Sequence, residues 1–174
     1  MRRSDSQSQP RSRLYTESER ARRDASRWTL VQGILAPLQF LAFAVSLALL
    51  LRYLATGEGY FAATVSIVVK TGFLYAIMVT GAIWEKEVFG QYLLAPAFFW
   101  EDVFSFVVIA LHSAYLVALW RGFLTPGGLM VLALAAYAAY AFNAGQFILK
   151  LRAARLEAAP AIAQSPAAEG ERAA

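Results

Sequence analysis

Four apolar runs dominate the chain between Trp28 and Leu149, and each is close to the ~20 residues that a helix needs to cross a bilayer core. They extend from Trp28 to Leu51, from about Phe61 to Trp84, from about Ala97 to Trp120, and from Leu129 to Leu149. Trp28, Trp84, Trp100 and Trp120 fall at segment ends, where amphipathic rings prefer the membrane interface, so they mark the boundaries independently of hydropathy. The pattern predicts an all-α protein, an integral membrane four-helix bundle occupying residues 28–157.

The flanks differ in kind. Residues 1–27 form a polar tail rich in Ser and Arg, without the hydrophobic stretch that a secretory signal needs. Residues 1 to about 13 are expected to be disordered, and Tyr15 to Asp24 to form an interfacial helix, since Thr16 followed by Glu19 has the spacing of a capping box. Residues 158–174, dominated by Ala, Pro and Glu, read as a disordered tail. Between the second and third spans, EKEVFGQYLLAPAFF begins charged and becomes apolar over too short a stretch to cross. Hydrophobic runs of ~10–14 residues lie at the interface or re-enter it. Gly90 and Pro96 break this one, and Pro96 disfavours helix at Ala95, so the third helix should start after it.

Composition removes the soluble alternative. Of 174 residues, 59% are hydrophobic and 16% charged, against about 25% charged in soluble domains. A small globule cannot hide that much apolar surface. The formal net charge of +4 suggests nucleic acid, but the basic residues flank the spans. Arg20, Arg22, Arg23 and Arg27 precede the first span and Lys150, Arg152 and Arg155 follow the fourth, whereas the linkers after the first and third carry Arg52 and Arg121. The bias places both termini in the cytoplasm and leaves no reason for a nucleic-acid partner. The absence of Cys rules out disulfides, thiolate zinc sites, iron–sulfur clusters and a cysteine nucleophile. His112 is the single His, so one chain cannot supply two axial imidazoles to a haem.

Polar side chains inside spans are costly and therefore candidate functional sites. Gln32, Gln39 and Ser46, spaced by seven, share a helix face, where they either bond neighbouring helices or meet a ligand; Pro37 lies between the two amides. Lys70 sits too deep to snorkel and needs an anionic partner, within the chain or on a substrate. Glu101 and Asp102 could simply complement the dipole of their helix start. Glu101 and His112, however, are eleven residues apart on one face, about 16 Å along the axis. Asn143 and Gln146 lie one turn apart, with Gly145 between them allowing close packing or the approach of a flat ligand. With the topology above, Gln32, Glu85, Glu87, Glu101, Asp102, Asn143 and Gln146 converge on the cytoplasmic half of an aromatic-rich bundle. Phe89, Tyr92, Phe98, Phe99 and Trp100 suit a flat amphipathic ligand there, or else face lipid. No phosphate loop, HExxH motif or nucleophile elbow is present, which leaves carboxyl acid–base chemistry on a hydrophobic substrate.

The stretches WTLVQGILAPLQFL, YAIMVTGAIWEKEVFGQYLLAPAFFWEDVFS and NAGQFILKLRAARLE resemble the 3-vinyl (also 2-vinyl) bacteriochlorophyllide hydratase family of phototrophic bacteria. The similarity covers roughly Leu14 to Glu157, and the stretch around the second linker is its most specific part. The resemblance implies a hydro-lyase of bacteriochlorophyll a biosynthesis that adds water to the ring vinyl group of a chlorophyllide, giving a 1-hydroxyethyl group. It implies a multi-pass protein of the bacterial inner (intracytoplasmic) membrane, with no cofactor beyond the magnesium the substrate itself carries. Neighbouring pigment-biosynthesis enzymes are candidate partners, beside the lipid bilayer.

That chemistry asks for a general acid, a positioned water and negative potential near the cation formed beside the macrocycle. Glu101 is the expected proton donor, with Asp102 or Glu85 ionised to orient water. His112 is a candidate ligand to the substrate's magnesium, although ~16 Å from Glu101 strains that geometry. Lys70 is a candidate partner for the substrate propionate, with Arg27 and Lys86 as rivals. Gln39, Asn143, Gln146 and Trp100 complete the expected binding set, and no protein metal site is expected. Two other classes compete. A non-catalytic tetrapyrrole-binding or assembly factor would use His112 and the aromatics and tolerate loss of the acids. A small transporter would use Lys70 and the acids as a proton relay, but four spans without an inverted repeat speak against it.

Overall fold

The structure is a computed structural model that describes residues 14–163, with side chains through Ala153. Five helices follow in order: α1 (Glu17–Ala25), α2 (Arg27–Thr56), α3 (Tyr60–Phe89), α4 (Phe99–Arg121) and α5 (Pro126–Ala163). There is no strand among the described residues. The four long helices, α5 counted as Pro126–Ala153, are long and apolar enough to cross a membrane, as the hydrophobic pattern predicts. They outrun the apolar segments because helix ends continue into polar sequence until a backbone signal stops them. Gly57, Gly90 and Gly122 take positive φ after α2, α3 and α4, and their N–H groups close the last turns onto Tyr53, Lys86 and Ala118. The third span starts after Pro96, as expected, and α2 runs through Pro37 without ending. Helix α5 continues to Ala163, past the expected start of the C-terminal tail; residues 1–13 and 164–174 lie outside the described residues.

Helix α1 forms where the capping spacing places it, with both bonds of the box present between Thr16 and Glu19. It is fastened to the end of α3: Arg22 Nε donates to Val88 O at 2.7 Å, and Ser26 Oγ donates to Glu87. Tyr15 is buried against Phe89 and Phe98. That burial pushes its phenol above the usual range, and nearby Arg23 draws it part of the way back.

Two antiparallel pairs, α2 with α3 and α4 with α5, make the bundle, and the pairs meet along α2–α5 and α3–α4. Toward the two tight turns the core is apolar: Leu50, Ile67, Tyr115, Met130 and Tyr137 are all essentially inaccessible. Outward positions such as Leu30, Ile34, Phe40, Phe61 and Val131 are exposed apolar side chains, the arrangement of a bundle whose solvent is lipid. With no hydrophobic drive between helices in lipid, polar links carry much of the specificity. Ser46 Oγ lies 2.5 Å from Tyr137 Oη and 2.8 Å from Ser66 Oγ, joining α2, α3 and α5 at one point. Replacing Ser46 with Ala should lower stability by about 1 kcal/mol, the size of interhelical bonds in bilayers. The check is Trp fluorescence during SDS titration of mixed micelles, where an unchanged midpoint would contradict this packing.

Candidate active site

At one end of the bundle, the end of α3, the start of α4 and the loop 90–98 gather three carboxyl groups beside α5. Glu85 is in the last turns of α3, and Glu101 and Asp102 are in the first turn of α4; all three are buried. The carboxyls of Glu85 and Asp102 are neighbours, close enough to interact electrostatically. Neither has a salt-bridge partner among the described residues, and a proton taken up by one of the two would relieve the repulsion between them.

The loop holds this pair from the other side. Leu94 N donates to Asp102 Oδ2 at 2.6 Å and Ala95 N donates to Glu85 Oε2 at 3.3 Å. Aiming consecutive amides at two acids puts Leu94 at φ 60, a left-handed conformation that a non-glycine residue adopts at a cost. The apolar stretch that reads as interfacial in the sequence is thus a cover whose backbone grips the acids. Phe98 anchors it, packing on Trp84, Phe89 and Phe147 at centroid distances of 5.7–5.9 Å.

Glu101 is differently placed. Its Oε2 accepts from Lys150 Nζ at 2.6 Å, and Lys150 also lies over the Phe98 ring. Next to this ion pair Asn143 Nδ2 donates to Ser105 Oγ at 2.8 Å, and Ser105 Oγ donates to Glu101 O. Asn143 Oδ1 and Gln146 Oε1 are buried without a hydrogen-bond partner among the described residues. A Cβ at Gly145 would meet nothing within 4 Å, so this glycine is not required for helix packing and leaves open space.

A second polar centre lies deeper. Lys70 and His112 are fully buried and bonded, Lys70 Nζ to His112 Nε2 at 2.6 Å. His112 Nδ1 lies 2.7 Å from Val108 O, a carbonyl that can only accept, so Nδ1 carries the proton and Nε2 accepts from Lys70 Nζ. Lys70 also sits over the faces of Tyr140 and Tyr137, at 4.1 and 5.1 Å. There is no carboxylate partner: Lys70 forms no salt bridge among the described residues. Gln39 is buried, with Oε1 unpartnered.

The structure therefore brings Glu85, Glu101, Asp102, Asn143 and Gln146 to one end and pairs Lys70 with His112 elsewhere. The shared face of Glu101 and His112 exists, but the two side chains serve different centres. Trp100, expected near a ligand, is 65% exposed and stacks edge-on against Phe99. Lys150, Tyr137, Tyr140 and the loop amides were not anticipated as site components. Lys150 was readable, since it follows Asn143 by seven residues and Gln146 by four on one face of α5. No group of three or more His, Asp or Glu side chains that could hold a metal ion occurs among the described residues.

Comparison with known proteins adds the chemistry. Residues 15–153 match the family described as 2-vinyl bacteriochlorophyllide hydratase. A relative of that name from Cereibacter sphaeroides is 74% identical over 149 residues, covering 85% of this chain and 92% of the relative. Another of that name, from Rhodobacter capsulatus, is 71% identical over 154 residues, covering 88% and 89%. No solved structure matches.

The ion pair can be tested without any substrate. In a double-mutant cycle, Lys150→Met should destabilise the protein more than the combination of Lys150→Met with Glu101→Gln, with a coupling of about 1–3 kcal/mol between the two positions. Unfolding midpoints in detergent supply the measurement, and additive effects would show that the pair contributes nothing.

Proposed function

Since the chain belongs to the 2-vinyl bacteriochlorophyllide hydratase family, we propose that it hydrates the ring vinyl group of a chlorophyllide, using the buried Glu85–Asp102 pair, sharing one proton, as proton source. That pair is the observation that carries the reading: two adjoining buried carboxyls held by consecutive backbone amides, inside an apolar multi-pass membrane protein, where a membrane-partitioning pigment can reach them. Protonation of the terminal vinyl carbon puts positive charge on the carbon beside the macrocycle. Conjugation spreads that charge, and the carboxylate left behind stabilises it electrostatically. Water then attacks the inner carbon, which gives the 1-hydroxyethyl regiochemistry.

The donor role moves from Glu101 to this pair because Glu101 is committed to Lys150. In this reading Glu101 and Lys150 set the local field and hold α4 to α5. His112 is not used as a magnesium ligand, because both ring nitrogens already have partners. A metal on His112 also sits ten residues, about 15 Å, along α4 from Asp102. The metal is at the centre of the macrocycle, too near the vinyl group for that gap. The propionate hangs on a flexible arm farther from the vinyl group, and Lys70 lacks an anionic partner, so Lys70 with His112 is assigned to the propionate. No added cofactor takes part, the acid end faces the cytoplasm, and the protein resides in the inner (intracytoplasmic) membrane.

Membranes from a host that makes no chlorophyll, expressing this chain and supplied with chlorophyllide a but no nucleotide or metal, should yield a pigment heavier by one water with blue-shifted absorption. Glu85→Gln and Asp102→Asn should each reduce that turnover by ~10²-fold or more while pigment still binds, and Glu101→Gln should cost less. Pigment that co-purifies unchanged with the wild-type protein would instead establish the binding or assembly role.

A further inference from the structure

The hydration reading leaves its second reactant unplaced. Asn143 has a fixed orientation: the Ser105 hydroxyl proton is committed to Glu101 O, so Ser105 Oγ can only accept, and the amide must turn its Nδ2 toward it. This directs Asn143 Oδ1 away from Ser105, into a position 92% buried with no donor to meet it. Gln146, one turn further along α5, presents a second buried oxygen in the same condition. Side chains three residues apart on a helix are neighbours, with Cβ atoms about 5–6 Å apart. Two unpartnered acceptors at that spacing call for one small molecule that donates twice, and an empty pairing would cost both groups their hydration.

We propose that Asn143 and Gln146 hold the water molecule that is added to the vinyl group, an inference that rests on the hydration reading. A water that donates both hydrogens to amide oxygens must turn its lone pairs outward, which is the orientation a nucleophile needs. Neutral amides do this without acting as acids, so they do not compete with the Glu85–Asp102 pair for the proton. The step balances. The pair gives a proton to the terminal vinyl carbon and a C–H bond forms; the water oxygen forms a C–O bond to the inner carbon. The extra proton on that oxygen returns to the carboxylate left by the first step, and nothing is oxidised or reduced. Asn143 and Gln146 are water-positioning residues, and the proton chemistry stays with the carboxyls.

The test uses the full chain in membranes, with chlorophyllide a and a fixed amount of methanol as a rival nucleophile. Wild-type protein should give the alcohol with little methyl ether, because a held water outcompetes a free alcohol. Asn143→Leu and Gln146→Met should raise the ether-to-alcohol ratio about fivefold or more, the effect of one lost hydrogen bond, and lower kcat with the pigment KM unchanged. A merely structural loss lowers both products together and leaves their ratio alone, so an unchanged ratio overturns the inference whatever happens to the rate. If Asn143→Leu does not accumulate in the membrane, Gln146→Met, close in shape and on the more open turn, decides the question by the same ratio. Wild-type membranes that form neither product would strike the hydration reading itself, whereas wild-type hydration with unaltered partition in the variants strikes only the water site.

Discussion

An ionisable side chain inside an apolar bundle has no water to turn to, so it must find its partner in the chain or in a ligand. That constraint organises this protein more than any apolar contact does. Glu101 finds Lys150, Lys70 finds His112, and Glu85 and Asp102, without a salt bridge among the described residues, lie together under the amides of Leu94 and Ala95. The first solution neutralises charge and ties α4 to α5. The last two leave no opposite charge in place: two adjoining acids, and a lysine whose hydrogen-bond acceptor is a neutral ring.

The acid pair in turn explains the loop. Two carboxyls at the meeting of α3 and α4 need donors, and Leu94 and Ala95 supply consecutive backbone amides at the expense of a left-handed Leu94. Backbone donors cannot swing away as side chains can, so the acids are held in one geometry. Phe98 and its aromatic neighbours fix the loop, and α1, fastened to α3 through Arg22 and Ser26, packs Tyr15 against the same cluster. The loop stretch of the sequence is therefore the part that assembles and covers the acid pair.

The four spans, the capped α1, the late start of α4 after Pro96 and the burial of the Gln39 and Ser46 face were all readable, because each follows from local period, length or capping chemistry. Convergence of Glu85, Glu101, Asp102, Asn143 and Gln146 at one end was readable as well, since antiparallel order alone sets their level along the bundle axis. Partner choice was not. Whether Glu101 faces Lys150 or Asp102 depends on helix rotation by a fraction of a turn, and a sequence with apolar residues on every side of a lipid-embedded helix carries little rotational signal. Lys70 reads as a lysine in search of an anion; its pairing with His112 arises only when α3 and α4 pack. The grip of the loop on the acids was hidden for another reason: it is made by amides, which every residue has.

The central claim is that Glu85 and Asp102 share one proton, and infrared spectroscopy of the protein in membranes at neutral pH reads it directly. The account predicts a carboxylic-acid C=O band that shifts in D2O, disappears in both Glu85→Gln and Asp102→Asn, and survives in Glu101→Gln. A wild-type protein without that band, or a band lost only with Glu101, would contradict it.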